Sequence, residues 1–405
     1  MNLFWFLTTI IQYKFSWDKT SSIAKMKQML DESGAVWQKF GQMLSTNEEL
    51  IGRDLAIEMQ KMLYDCPVHT DEYSRDIIKQ MFGDKYDLSE MKLIGSGTIA
   101  QVYKVGDVCI KVRHPNVVRE VMDAVAIYDG VKNSYFMPVA IKMVCDVFFE
   151  GLVAQLDFHK EFANGNTFKE LVHGGTDGIN NLFVIPRMLD TSDECLVMEY
   201  EPSQSIVLNE RDKIDKNTLL RSCNALSILG HICCMNGFLH GDIHPGNYGI
   251  RGNQIVIYDF GCMSDVRGKI NHLHILKANM KHDFDLIITE IGLTTTEENE
   301  LRNHLGELQQ GNIHLYYRCF SKTLIYIALH NIKIEPSLTE ILYIGKNQHF
   351  NRCIMNELEC ELRHFSTHYE KYGRVSLYDT YFPYDDVKEL RNTIGQFHIT
   401  LSYNI

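Results

Sequence analysis

His240-Gly241-Asp242-Ile243-His244-Pro245-Gly246-Asn247, followed by Ile257-Tyr258-Asp259-Phe260-Gly261, says more about this chain's architecture than any other segment. One carboxylate is followed five residues later by an amide, and a second carboxylate closes an apolar, strand-like run. Phosphoryl transfer from a nucleotide needs such a set, because the chemistry is mostly positioning and charge neutralisation around magnesium. Asp242 would face an acceptor hydroxyl or water, and Asn247 and Asp259 would hold the metal. Either motif alone reads equally well as a polar loop between core strands. Both together, in this order and at short spacing, point to nucleotide phosphotransfer.

Working upstream, something must cover and clamp the phosphates. Gly95-Ser96-Gly97-Thr98 opens a strand–turn–strand in which Gly95, Gly97, Ala100 and Val102 fall at the spacing of a nucleotide-covering loop. Glycine lets the backbone approach phosphate and frees its amides to donate. Nine residues after Val102 comes Lys111, between Ile110 and Val112 on a predicted strand. Alternation places it on the face opposite those two. It is the candidate phosphate-contacting lysine, with Glu161 of a later helix as its partner. Leu196 to Glu201 reads as a strand ending in a connector, with Met198, Glu199 and Tyr200 lining an adenine pocket.

The 405 residues suffice for a two-lobed enzyme with a sizeable core. A formal net charge of −12 argues against a general nucleic-acid binder, which needs a basic surface. The 11 cysteines are scattered and contain no C-x-x-C pair, so free, mostly buried thiols in a reducing compartment are expected rather than a zinc site. Met1 to Phe15 is apolar and aromatic but too short to span a bilayer. It reads either as a helix packed on its own protein or as an interfacial segment on a membrane. It lacks the basic start of a signal peptide, and no other apolar run is long enough for a transmembrane helix.

Apolar residues at three-to-four spacing predict helices over 20–65, a short helix over 74–90 and helices again over 117–172. Strands are expected at Ile99–Val105 and Val108–Val112, joined by the turn Gly106-Asp107, and at Leu182–Ile185 and Leu196–Tyr200. After Pro202 the pattern is helical, apart from a loop at 240–248 and a strand pair, Tyr248–Ile250 with Gln254–Tyr258. Residues 262–405 read as mostly amphipathic helix. A small sheet first and a helical mass second indicate α+β and two lobes.

At this point the sequence resembles the UbiB/aarF-domain atypical kinases, a group linked to coenzyme Q biosynthesis. Lys39-Phe40-Gly41-Gln42 matches the family's K-x-G-Q signature. Leu156 to Asn164 resembles the segment carrying its E-x-D motif and the lysine-pairing glutamate, and Gly237 to Asn247 is similar to its catalytic loop. The resemblance covers about residues 35–290. It implies a two-lobed protein-kinase-like fold with a helical N-terminal extension over the active site, residues 1–89. A small lobe would span 90–201 and a helical large lobe 202–405. It also implies that Lys39, Gln42 and Asp157 gate the site where a peptide would otherwise lie, so that ATP turnover or a small or lipidic acceptor replaces routine protein phosphorylation. The absence of an A-P-E motif after Asp259 agrees. Two departures stand out: the family's alanine-rich loop is Gly95-Ser96-Gly97-Thr98 here, and the first acid of E-x-D is Gln155.

The sequence therefore leads to an ATP- and magnesium-dependent phosphotransferase or ATPase. Asp242, Lys111 and Glu161 are its catalytic set. A lipid or membrane surface and quinone-pathway proteins are partners by analogy, and nucleic acid is not one. Two rival readings are a small-molecule phosphotransferase of the aminoglycoside or choline kinase type, and a nucleotide-binding scaffold without productive transfer.

Overall fold

The computed structural model describes residues 68–133, 139–173, 182–205, 236–243 and 246–267, with single helical positions at 21, 28, 36, 39, 225, 226, 229, 233 and 299. The apolar segment 1–15, most of the helices expected over 20–65 and the helical mass beyond 267 lie outside the described residues. The chain divides into two compact units, Met1–Phe162 with Met188–Tyr200, and Ala163–Arg187 with Glu201–Ile405.

The first unit is built on a five-stranded antiparallel sheet in the order β1-β2-β3-β6-β5: β1 Lys92–Ser96, β2 Ala100–Val105, β3 Val108–Arg113, β5 Met188–Thr191 and β6 Cys195–Glu199. The β2–β3 turn falls on Gly106, whose φ of 58° is readily adopted only without a Cβ. Alternation along β2, β3 and β6 sends Tyr103, Val105, Ile110, Val112, Cys195 and Val197 to one face. There they pack on Ile78 of α1, Asp71–Phe82, and on Leu88 and Met91. Thr70 caps α1 by accepting from the Tyr73 N–H, Asp71 and Glu72 complement the helix dipole, and Gly83 (φ 60°) closes it. Helices α2 (Val117–Val131), α3 (Val139–Ala154) and α4 (Phe158–His173) follow β3.

The second unit holds two small sheets. One runs β4-β10-β9-β7, with β4 Phe183–Val184 parallel to β10 Gln254–Ile257, and β9 Tyr248–Arg251 antiparallel to both β10 and β7 Gln204–Ser205. The other pairs β8 Phe238–His240 with β11 Met263–Asp265.

β8 and β11 correct the expectation of loop and helix there. Each has three residues, too few to show a period of two, and their pairing joins segments far apart in sequence. β1, β5 and β7 were also not anticipated. β1 carries a bulge between Leu93 and Gly95, which breaks its alternation, and β7 has only two residues. The expected α+β class holds, and the strands read from sequence at 99–105, 108–112, 182–185, 196–200, 248–250 and 254–258 are present with shifted ends.

Candidate active site

Within the first unit, Lys111 stands on the sheet face opposite the α1 core, level with Val102 on β2 and Leu196 on β6. Its Nζ donates to both carboxylate oxygens of Glu161, at 2.8 and 3.0 Å. The Glu161 side chain is 1 % exposed and that of Lys111 13 %, so the pair is nearly desolvated. Glu161 is delivered by the first turn of α4, which Asp157 caps: its Oδ1 accepts from the Lys160 N–H at 2.9 Å. Asp157, predicted from the resemblance as a gating residue, thus has a structural task as a helix cap. Buried Arg113, two residues beyond Lys111, fixes the same region. It donates to the Leu156 carbonyl at 2.8 Å and pairs with Glu194 at 3.0 and 3.1 Å.

Gly97 makes the turn between β1 and β2, its N–H donating to the Ala100 carbonyl at 2.8 Å. A Cβ at Gly95 would meet nothing, and at Gly97 only the Ala100 carbonyl oxygen at an ordinary 3.7 Å. Packing demands neither glycine. Ser96 ends β1, Thr98 is buried in the turn, and Val102 is half-buried on Lys111's face. Downstream, Met198 is buried on β6, Glu199 ends that strand, and the Tyr200 N–H donates to the Asp107 carbonyl at 2.9 Å. Lys104 lies over the Tyr200 ring at 4.8 Å. Burial pushes the thiols of Cys109 and Cys195 up to about 12, which leaves them unreactive. The five described cysteines are buried thiols, none of them in a disulfide.

Within the second unit, fully buried His240 organises the central motifs. Its Nε2 is 2.7 Å from the Asp259 carbonyl oxygen, and its Nδ1 accepts from the Asp242 N–H at 3.2 Å. A carbonyl only accepts, so the proton sits on Nε2 and the ring is neutral. Asn247 Nδ2 donates to the Asp242 carbonyl at 2.9 Å, which leaves the amide oxygen as the atom it can offer a cation. The Tyr258 N–H donates to the Asn247 carbonyl at 3.1 Å and the Gly241 N–H to the Cys262 carbonyl at 2.7 Å, lacing the two loops side by side. Asp259 Oδ1 accepts from the Gly261 N–H at 3.0 Å, orienting the carboxylate. The structure thus brings Asp242, Asn247 and Asp259 together.

Supports that motif reading missed surround this cluster. Asn164 of α4 donates to the Phe260 carbonyl at 3.0 Å, and Phe168 packs edge-on to His240 and against Phe260. Gly249 is closely packed: a Cβ there would force the Tyr258 hydroxyl and Ser203 Oγ, which bond each other at 3.1 Å, to shift. Glu201 pairs with Arg251 beside it. Of the signature residues, Lys39 is helical and half-buried, and Gln42 lies outside the described residues.

A cation fits the donor set. Among the described residues no group of three or more His, Cys, Asp or Glu could hold a metal. One carboxylate and one amide oxygen leave most of a coordination shell to water and substrate phosphate, which is how Mg²⁺ is usually held.

Residues 61–290 match the ABC1 atypical kinase-like domain. An uncharacterized protein in the hydrogenase 1 5′ region of Clostridium pasteurianum is 26 % identical over 362 residues, covering 84 % of this chain and 65 % of that protein. A probable protein kinase UbiB of Xylella fastidiosa is 23 % identical over 272 residues, covering 60 % and 48 %. The chain thus spans about half to two thirds of the length of these relatives. Among solved structures, the complex of Rv3197 with erythromycin from Mycobacterium tuberculosis aligns with a TM-score of 0.44 at 18 % identity, covering 78 % of this chain and 90 % of that one. The matched domain takes in more than half of the chain and every residue of both charged clusters, so the chain belongs to the ABC1 atypical kinase-like family, with the UbiB kinases among its relatives, and its fold is kinase-like.

Proposed function

We propose that this protein binds Mg-ATP and uses it for ATP hydrolysis or for phosphoryl transfer to a small or lipid-related acceptor. The observation that carries this reading is the His240 ring. By bonding the backbone of Asp242 on one side and of Asp259 on the other, it holds a proton-accepting and a cation-binding carboxylate in adjacent loops. When bound, Mg-ATP supplies the transferable phosphoryl group and a cation that spreads its charge. Asn247 and Asp259 hold the cation, and Lys111, kept in place by Glu161, binds phosphate. Gly95 to Val102 covers the phosphates, and the backbone of Met198, Glu199 and Tyr200 lines the base. Asp242 takes the proton of the acceptor hydroxyl or water. Lys39, Gln42 and Asp157 restrict access. A membrane surface, suggested by the apolar Met1–Phe15, and quinone-pathway proteins, by analogy with the family resemblance, are the partners that go with this reading.

The test is magnesium-dependent ATP turnover by the full chain, with and without liposomes and quinone-precursor-like phenols, using Asp242→Ala as control. Turnover lost in the variant, with nucleotide binding retained, supports the reading. Nucleotide binding with no turnover in either protein would instead favour a scaffold, for which Gln155 in place of an acid speaks.

A further inference from the structure

A buried polar chain runs through the first unit, from the segment preceding α1 to the glycine-rich turn. Gln101, fully buried on β2, clamps the backbone of His69: its Oε1 accepts from the His69 N–H, and its Nε2 lies 3.3 Å from the His69 carbonyl oxygen. The His69 ring is 2.7 Å from Ser74 Oγ through Nε2, and its Nδ1 is 2.7 Å from the Nδ1 of His114. His114 Nε2 in turn is 2.9 Å from the Gly97 carbonyl oxygen.

Two contacts fix which nitrogens carry protons where the rings meet. The Gly97 carbonyl only accepts, so His114 is protonated on Nε2 and its Nδ1 is an acceptor. His69 must then donate from Nδ1, and its Nε2 faces the Ser74 hydroxyl at 2.7 Å. Ser74 Oγ and the Tyr103 hydroxyl are 3.0 Å apart, and Gln101 Nε2 is 2.5 Å from that hydroxyl, so Tyr103 completes the chain. Burial lowers both imidazoles, His69 to about 4, which agrees with neutral rings at pH 7.

The far end of this chain is the turn itself. The His114 N–H donates to the Ile99 carbonyl at 2.9 Å while its ring holds the Gly97 carbonyl. In a trans peptide the C=O and the following N–H point in opposite directions. Fixing the Gly97 oxygen therefore fixes the direction of the Thr98 N–H.

We propose that His114, held in one tautomer by His69, is a positioning residue that sets the Gly97–Thr98 peptide for nucleotide phosphate. This rests on reading the glycine-rich turn as the phosphate cover. Without the His69 donor, the His114 ring is free to carry its proton on Nδ1, which would turn an Nε2 lone pair toward the Gly97 oxygen and release the turn.

Two measurements on the full chain test it. Imidazole nitrogen NMR without nucleotide should show His114 protonated on Nε2 and His69 on Nδ1, with His114 shifting toward the other tautomer in His69→Leu. Calorimetric titration with magnesium and a non-hydrolysable ATP analogue should show binding weakened about tenfold in His114→Leu, the scale of one hydrogen bond. His114→Gln, whose amide nitrogen can reach the same carbonyl, should restore most of it. His114 protonated on Nδ1 in the wild type would overturn the proposal, whatever the nucleotide result. So would wild-type affinity in a folded His114→Leu. If the tautomers are as stated but the wild type binds no nucleotide, the reading of the turn fails and takes the positioning role with it.

Discussion

Glu161 is the residue whose loss has the most predictable cost. Its carboxylate is almost wholly buried and holds the Lys111 ammonium through two hydrogen bonds. Glu161→Ala should lower the unfolding free energy by about 3–5 kcal/mol in urea titration, because the nearly desolvated lysine charge loses the carboxylate that balances it. Adding Lys111→Met should recover part of that loss. A double variant as unstable as the sum of the singles would show that the two charges are not coupled. His69 gives a pH signature. Burial is the main cause of its lowered pKa, His114 adds to it and Asp71 opposes it; on His114 burial also dominates, opposed by the Gly97 carbonyl. The unfolded chain therefore binds more protons than the folded one between about pH 6.5 and 4. The contribution of His69 is complete above that window and fades as pH falls through it. The difference in Tm between wild type and His69→Gln should be largest at pH 7 and shrink by pH 5, and an unchanged difference would contradict the assignment.

At the scale of elements, two glycines in the same chain should respond oppositely to alanine. Gly249→Ala on β9 drives a Cβ into the Tyr258 hydroxyl and Ser203, with the Gln204 carbonyl only 3.0 Å away. It should cost about 1–3 kcal/mol or more, as overpacking does. Gly95→Ala meets open space and should leave thermal unfolding within about a degree or two, or raise it slightly by restricting the unfolded chain. Thermal denaturation of both variants decides this, and a destabilised Gly95→Ala would mean the turn is more tightly packed than it is here. Which elements were legible in the sequence follows from their lengths. β2 and β3 are readable because apolar and polar residues alternate, as Ile110 and Val112 do with Lys111, and β6 because Cys195 to Met198 is a short continuous apolar run. β8 and β11 are not, since a three-residue strand has no period and its existence depends on a partner distant in the chain. The Asn164–Phe260 bond and the His69–His114 contact were hidden for the same reason: nothing near either residue announces the partner.

For the whole molecule, the motifs carried more information than any periodicity. Asp242, Asn247 and Asp259 could be read as one set because their residue types and order are themselves chemical, and the backbone bonds of His240, Gly241 and Tyr258 show why the two loops travel together. Lys111 and Glu161, 50 residues apart, were paired from sequence by role alone, and they meet. Membership of the ABC1 atypical kinase-like family fixes the class of fold, and everything proposed for the charged residues depends on Mg-ATP being the ligand. The most direct measurement is calorimetric titration of ATP into the full chain with and without magnesium, for the wild type and for Asp259→Asn. Binding should be saturable and magnesium-dependent, and should disappear in the variant while the fold survives. Binding that ignores magnesium, or persists unchanged in Asp259→Asn, would contradict Mg-ATP as the ligand.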